Sequence, residues 1–273
     1  MGSGGNTMKK MLLPLFLTKL IFSLAAGTLA DADLAKITSH LENPQEKPWT
    51  WVFYGDSITQ GAVHTHGWRA FPEIFAECLR YERRRPLDRV INSGISGHTS
   101  EELLNDLQYD WRVRSLQPSV VIMMIGINDI VSGRTPEKFQ NNLVILVNRI
   151  RSHGAIPILQ TSNTIQKVEN PTKPYQKNYL VRYEQLPRYM EIVRAVAQEK
   201  DVILVDHFIH WSQNAADPDV LASWLGETIH PGGRGHREIA MLLLKTIGMY
   251  SPQSQPLRYP PDDIKKTPDK VDF

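Results

Sequence analysis

Short apolar runs alternate along the chain with longer segments of helical spacing. Trp51-Val52-Phe53-Tyr54 stops abruptly at Gly55-Asp56-Ser57, the pattern of a buried strand that ends in a turn. Residues 89–92 read as a second strand, 156–159 as a fourth and 202–205 as a fifth. The third, Val120-Val121-Ile122-Met123-Met124-Ile125, is apolar on both faces and belongs in the middle of a parallel sheet covered by helices on both sides. Between the strands, Phe71, Ile74, Phe75 and Leu79 recur at helical spacing within 68–80, and Thr99 or Ser100 caps a helix over 100–107. Pro136 opens an amphipathic helix that runs to His153 and stops at Gly154. A polar loop over 161–178 leads into a helix over 179–200. Short helices and turns fill 206–225, and a helix over 232–249 closes the unit. Strands alternating with helices at this spacing predict the α/β class with a doubly wound, five-stranded parallel sheet.

The 273 residues suit one large α/β domain or two small ones, and no internal repeat or second core is visible, which places one domain over 49–250. Ahead of it, Lys9-Lys10 precede an apolar stretch over 11–29 with small residues at Ala30 and Ala32. A basic start, an apolar middle and a small-residue exit describe a secretory signal peptide over 1–30, with cleavage acceptable after Ala30 or Ala32. A membrane anchor of about 20 apolar residues is the competing reading. Lys19 interrupts the run, so export, cleavage and no lasting membrane insertion are expected. The opening MGSGGNT, before Met8, resembles a cloning scar or a misplaced start. Residues 31–48 form a polar extension with a short helix around 35–41. From Ser251 to Phe273 the chain turns Pro- and Lys/Asp-rich and is expected to lie extended over the surface.

Composition narrows the function classes a little. Hydrophobic residues make up 41% and charged residues 22%, an ordinary globular balance. Net charge is +2, and Arg83-Arg84-Arg85 is too short for a nucleic-acid stripe, reading instead as a solvated helix end. Cys78 is the only cysteine, which rules out an intrachain disulfide and places it in the core face of the 71–79 segment.

The chemistry gathers at the strand ends. In open α/β sheets, ligands bind at the carboxyl edge. There this chain offers Ser57 after the first strand, a turn over 94–97 after the second, and Asn128 after the third. A fourth segment, Glu227-Thr228-Ile229-His230-Pro231, precedes the closing helix. Acyl transfer needs these residue types: a serine nucleophile, a histidine base within reach, and donors converging on the tetrahedral oxyanion. His230 is the candidate base. The backbone N–H groups of Ser57 and Gly97 and the Asn128 amide are the candidate donors, and Glu227 is the carboxylate that would hold the imidazole tautomer.

In order, these residues resemble four blocks of the GDSL, or SGNH, family of serine hydrolases, over residues 50 to about 248. Gly55-Asp56-Ser57 resembles the first block, Gly97 within NSGISGHTS the second, Gly126-Ile127-Asn128-Asp129 the third, and His230-Pro231 the last. The resemblance implies a flavodoxin-like three-layer α/β/α sandwich and metal-free, cofactor-free ester hydrolysis. It departs at one position, since the family usually has Asp three residues before the histidine and this chain has Glu227. The added methylene moves the carboxylate by about a bond length, and the alternative is a Ser–His pair helped by a backbone carbonyl. No GxSxG elbow is present, which disfavours the α/β-hydrolase fold.

Other residues carry two readings. Asp56 and Asp129 flank the candidate positions and serve as loop supports. His64 and His66, or Asp206 with His207 and His210, could be imagined around a metal, but neither group has a matching second cluster. His64 or His66 fits the pocket rim better. His98 could line the pocket or simply face solvent. Trp211 and Trp224 could stack on a sugar or cover the core. The expected function is a secreted esterase acting on a small-molecule or glycan ester, such as short acyl groups on carbohydrate. A lysophospholipase, a general short-chain esterase or an acyltransferase is the near alternative. A non-catalytic carbohydrate-binding module is the rival from another class, favoured only by Glu227.

Overall fold

The computed structural model describes residues 27–61 and 64–258, together with the first two. Most of the expected leader, and the tail beyond Arg258, lie outside these residues. Five strands, β1 (Thr50–Gly55), β2 (Arg89–Asn92), β3 (Val120–Met124), β4 (Ile156–Gln160) and β5 (Ile203–Val205), form one parallel sheet in the order β2-β1-β3-β4-β5. This is the flavodoxin-like order, and its direction of winding reverses between β1 and β3.

Alternation along β1 sets the layers. Trp51 and Phe53 meet Phe75 and Phe71 of α3 (Phe71–Glu77), with ring centroids 5.2 and 5.4 Å apart. Tyr54 points the other way. Its hydroxyl donates to the Leu103 carbonyl in α4 (Ser100–Leu104) at 2.9 Å, and its ring meets Tyr109 of α5 (Asp106–Arg112) edge-on. The first layer adds α10 (Gly233–Thr246), and the second adds α6 (Pro136–Ser152) and α7 (Pro174–Glu199). A further helix, α1 (Leu29–Glu42), runs past the amino ends of the strands, from Asp201 ahead of β5 to Asp88 ahead of β2. Short helices α2 (Ser57–Gln60), α8 (His207–Asn214) and α9 (Pro218–Trp224) fill the carboxyl side of the sheet. Every residue of β1, β3 and β4 is buried.

Several segments differ from expectation for local reasons. The polar extension is a longer helix than 35–41: α1 has 14 residues and buries Ile37 and Leu41 in the main core. Thr28 caps it, exchanging hydrogen bonds with Asp31, and the Asp201 carboxylate accepts the N–H groups of Leu29 and Ala30. The helix expected over 68–80 starts only at Phe71, where Pro72 takes an early helical position, and ends in a π turn over Cys78–Glu82. The one expected over 100–107 is split at Asn105, whose side chain caps α5 by accepting the Gln108 N–H at 3.2 Å. Pro174 starts α7 five residues earlier than expected and shortens the polar loop.

Arg85 is not a solvated helix end. Only 3% exposed, it lies in a buried polar cluster under α1. Its guanidinium donates to Asp88 Oδ1 at 2.9 Å and to the carbonyls of Asn43, Glu46 and Lys47. Asp88 also accepts from the Trp49 N–H (3.2 Å) and Trp51 Nε1 (3.0 Å), and meets His40 Nε2 at 2.7 Å, while the His40 ring stacks on Trp49. Burial would raise the Asp88 carboxyl, but the bonds from His40, Trp51, Arg85 and Trp49 outweigh it and hold the group below its ordinary range. One carboxylate thus ties α1, β1 and the turn before β2 together. Asp88→Ala leaves Arg85 buried without its counter-charge and should destabilise the fold by about 3–5 kcal/mol. Urea unfolding followed by tryptophan fluorescence measures this.

Candidate active site

The loops after β1, β2 and β3 are bonded to one another. Asp56 caps α2 by accepting the Ile58 N–H at 3.0 Å, and Ser57 takes the first helical position, where a backbone N–H has no acceptor inside the helix. The turn after β2 is tied to this segment twice, by Ile95 N–H to the Gly55 carbonyl (3.0 Å) and Ser96 N–H to Gln60 Oε1 (2.9 Å). Gly97 follows at φ +81°, in open space, so the backbone angle rather than crowding favours glycine there. Asn128 closes the set by donating Nδ2–H to the His98 carbonyl at 3.0 Å.

Arg182 of α7 donates Nη2–H to Asn128 Oδ1 (3.2 Å) and Nε–H to the Ile127 carbonyl (3.1 Å). A guanidinium can only donate and a carbonyl only accept, so the two sides together fix which end of the Asn128 amide is which. The amide nitrogen carries two hydrogens, and His98 takes one.

The histidine segment is held from behind. Gly226 N–H donates to the His230 carbonyl (2.9 Å), Asn163 Nδ2 to the Ile229 carbonyl (3.0 Å), and Gln166 N–H to the Thr228 carbonyl (2.9 Å). His230 Nε2 then lies 2.8 Å from Ser57 Oγ. On its other edge, Nδ1 hydrogen-bonds Glu227 Oε1, which also accepts the His230 backbone N–H at 2.9 Å. The longer glutamate side chain therefore reaches the imidazole. A carboxylate only accepts, so Nδ1 carries the hydrogen in the neutral ring and Nε2 is left to accept from the serine hydroxyl.

Burial would raise the Glu227 carboxyl, but the hydrogen bonds and charge of His230 outweigh it and hold the group below its ordinary range. Asp56, wholly buried, is pushed up to about 7 by desolvation, against the Ile58 N–H and the His230 charge, which act to lower it. Asp129, next to Asn128, is also buried and faces α4, accepting the Ser100 N–H (3.1 Å) and hydroxyl (2.5 Å). Both aspartates accept backbone N–H groups from the first turn of a helix.

The remaining candidates divide clearly. Asp206 caps α8 and pairs with Arg194 at 2.6 Å, and His207 is buried against Gln160 at 2.9 Å, so this cluster belongs to the frame. Trp211 is fully buried and meets Trp224 edge-on, 4.9 Å between centroids. His64 stacks on His230, and with Glu227 these groups come close enough to suggest a cation site. The two rings are parallel within 7° and 3.4 Å apart. Lone pairs lie in the ring planes, so stacked imidazoles cannot aim both at one ion at bonds of about 2 Å. Sequence reading did not single out Arg182, Asn163 or Gln166. Each is a polar residue among many on α7 or the preceding loop, and only tertiary contact distinguishes them.

An imidazole that accepts from a serine hydroxyl and rests on a carboxylate is equipped for acyl transfer. On a flavodoxin-like sheet this defines the class, a serine-type ester hydrolase. The family follows from comparison with known proteins: residues 53–238 match the GDSL-like Lipase/Acylhydrolase family, and the chain belongs to it as a carboxylic-ester hydrolase. It is 30% identical over 206 residues to the uncharacterized lipoprotein YqeF of Bacillus subtilis, covering 67% of this chain and 80% of that protein. It is 28% identical over 162 residues to esterase TesA of Pseudomonas aeruginosa, covering 59% of this chain and 71% of that protein. Among solved structures, the enzyme LAE5 from the Lake Arreo metagenome superposes with a TM-score of 0.60 at 25% identity, over 76% of this chain and 99% of its own. A catalytic mutant of the acetylxylan esterase Axe2 from Geobacillus stearothermophilus shares the fold, with a TM-score of 0.59 at 21% identity over 76% and 97% of the two chains.

His236 in α10, behind the site, is fully buried, accepts the Phe71 N–H and is lowered to about 3, first by burial and then by the charges of His230 and His64. Its folded value is below that of the unfolded chain, about 6.5. The stability it confers is therefore present above pH 6.5 and is lost as pH falls towards 3. Relative to wild type, His236→Phe should gain about 2 kcal/mol between pH 7 and pH 5. Urea unfolding of both proteins at the two pH values gives the difference.

Proposed function

We propose that this chain is an exported esterase that removes short acyl groups, such as acetyl, from carbohydrate through a serine acyl-enzyme. The observation that carries the reading is the 2.8 Å contact of Ser57 Oγ with His230 Nε2, backed by Glu227 on Nδ1. His230 takes the Ser57 proton as Oγ attacks the ester carbonyl. Glu227 keeps the tautomer and stabilises the imidazolium, and the negative oxygen is held by the N–H groups of Ser57 and Gly97 and the second Nδ2 hydrogen of Asn128. His230 next gives its proton to the leaving alcohol. Water, activated by His230 in turn, attacks the acyl-enzyme and releases the acid and the free serine.

Two observations support a short acyl group on a hydrated alcohol. The side chains gathered around Ser57 and His230 (His64, Asn128, Arg182 and Glu227) are polar and partly exposed. The structural neighbours Axe2 and AlAXEase are themselves acetyl xylan esterases. Ser57→Ala should abolish turnover of p-nitrophenyl esters without changing the melting temperature. Asn128→Ala should lower kcat about a hundredfold, the usual scale for one oxyanion donor. Across acetate, butyrate and octanoate, wild-type activity should be highest on acetate; a preference for octanoate would replace the carbohydrate reading with a lipid one.

Export rests on the basic, apolar and small-residue pattern of the N-terminal segment and on the naming of YqeF as a lipoprotein. Cleavage after Ala30 or Ala32 would remove the Thr28 cap and the two N–H groups bound by Asp201. Ser23-Leu24-Ala25 places small residues at the same two recognition positions further upstream and leaves that first turn whole. N-terminal sequencing of the processed protein should therefore begin at or before Thr28; a start at Asp31 or Asp33 would show that α1 forms without its cap.

A further inference from the structure

His64 lies outside the segments that carry the hydrolase motifs, yet its ring covers one face of His230, 3.4 Å away and 7° from parallel. The contact is built into the fold from both sides. Thr65 is buried, its N–H donates to the Gly61 carbonyl (3.1 Å) and its carbonyl accepts the Trp68 N–H (3.1 Å), which turns this loop inward. The loop rests on Gly226, where an added Cβ would fall 2.9 Å from the His64 carbonyl and 3.5 Å from His66 Cδ2. Gly226 immediately precedes Glu227, so the loop bearing carboxylate and imidazole packs directly against the loop bearing His64.

Two hydrogen bonds, to Ser57 and Glu227, hold opposite edges of the His230 ring. Edge contacts leave a planar ring able to roll about the line that joins them. A contact on the face resists that roll. Burial first, and then the charge of His230, hold His64 down at about 4, so near neutrality it meets the imidazolium as an uncharged aromatic surface.

We propose that His64 is a positioning residue for ester hydrolysis, its ring clamping the His230 imidazole in the plane that links Ser57 Oγ to Glu227 and lying against the imidazolium formed as Ser57 attacks. The inference rests on the reading of Ser57 and His230 as nucleophile and base. It predicts that flatness at position 64 matters and that titration of the residue does not. Phenylalanine keeps a face against His230, leucine fills the space without one, and alanine opens it.

The test uses two readouts on His64→Ala, His64→Leu and His64→Phe. The first is steady-state hydrolysis of p-nitrophenyl acetate. The second is the far-downfield proton resonance of the His230–Glu227 hydrogen bond, which needs no turnover. The alanine and leucine variants should lose about tenfold or more in kcat with KM within about twofold, since small misplacements of reacting groups cost this much or more. Their downfield resonance should broaden, and the phenylalanine variant should restore both. An alanine variant with near-normal kcat and an unchanged resonance overturns the proposal, as does a phenylalanine variant no better than leucine. The leucine–phenylalanine comparison keeps its force if alanine lowers the melting temperature. Ser57→Ala measured alongside separates the two levels. If wild-type hydrolysis survives it, the catalytic reading fails, while the resonance still decides whether His64 orders His230.

Discussion

A strand buried on both faces can present polar chemistry only at its ends, and β1 is such a strand. Trp51 and Phe53 are committed to one helical layer and Tyr54 to the other, so Asp56 and Ser57 are the first positions free to point at anything but the core. The reversal of strand order between β1 and β3 then keeps the helices that follow these two strands from covering the gap between them. Ser57 stands on one side of that gap and Asn128 on the other. The hydrogen bonds from Ile95 to Gly55, Ser96 to Gln60 and Asn128 to His98 turn three separate strand ends into one surface. His230 reaches this surface from a loop whose carbonyls are held by Asn163 and Gln166, so the imidazole is placed by β4's connection as much as by its own segment.

Strand positions were readable because parallel-sheet burial leaves so little choice of residue. The predicted and observed bounds of β2 coincide, and those of β3 and β4 differ by one residue. Helix ends were less legible. Asn105 splits one expected helix by capping the next, a local side-chain choice that hydrophobic spacing does not register. The N-terminal helix is legible only over 35–41, because only Ile37 and Leu41 of its apolar residues enter the main core and the turn before them carries no apolar pattern to mark it. Arg85 is hidden in the sequence for a related reason. Three consecutive arginines look alike in sequence, and only the carbonyls at the end of α1 and the Asp88 carboxylate single out the third.

In the site, the residues that motif spacing identifies are those whose neighbours along the chain are also constrained: Asp56 beside Ser57, Glu227 three before His230. The Glu227 departure has a simple geometric resolution, since the same oxygen that meets Nδ1 also accepts the His230 backbone N–H and so folds the extra methylene into the turn. Arg182 has no such sequence context. It acts across 54 residues of chain on Asn128 and is one of several basic residues on a long helix. Its importance lies in contact, and contact is not periodic.

The attachment of α1 to Asp201 has a directional consequence. Asp201 lies in the turn that enters β5, so Thr28 and Leu29 sit at the amino edge of the sheet, whereas Ser57 and His230 occupy the carboxyl edge. Anything that tethers the protein by the segment upstream of Thr28, whether a leader in transit or a surface, would hold it from behind. The face bearing Ser57 and His230 would then look away from the tether, towards open solvent.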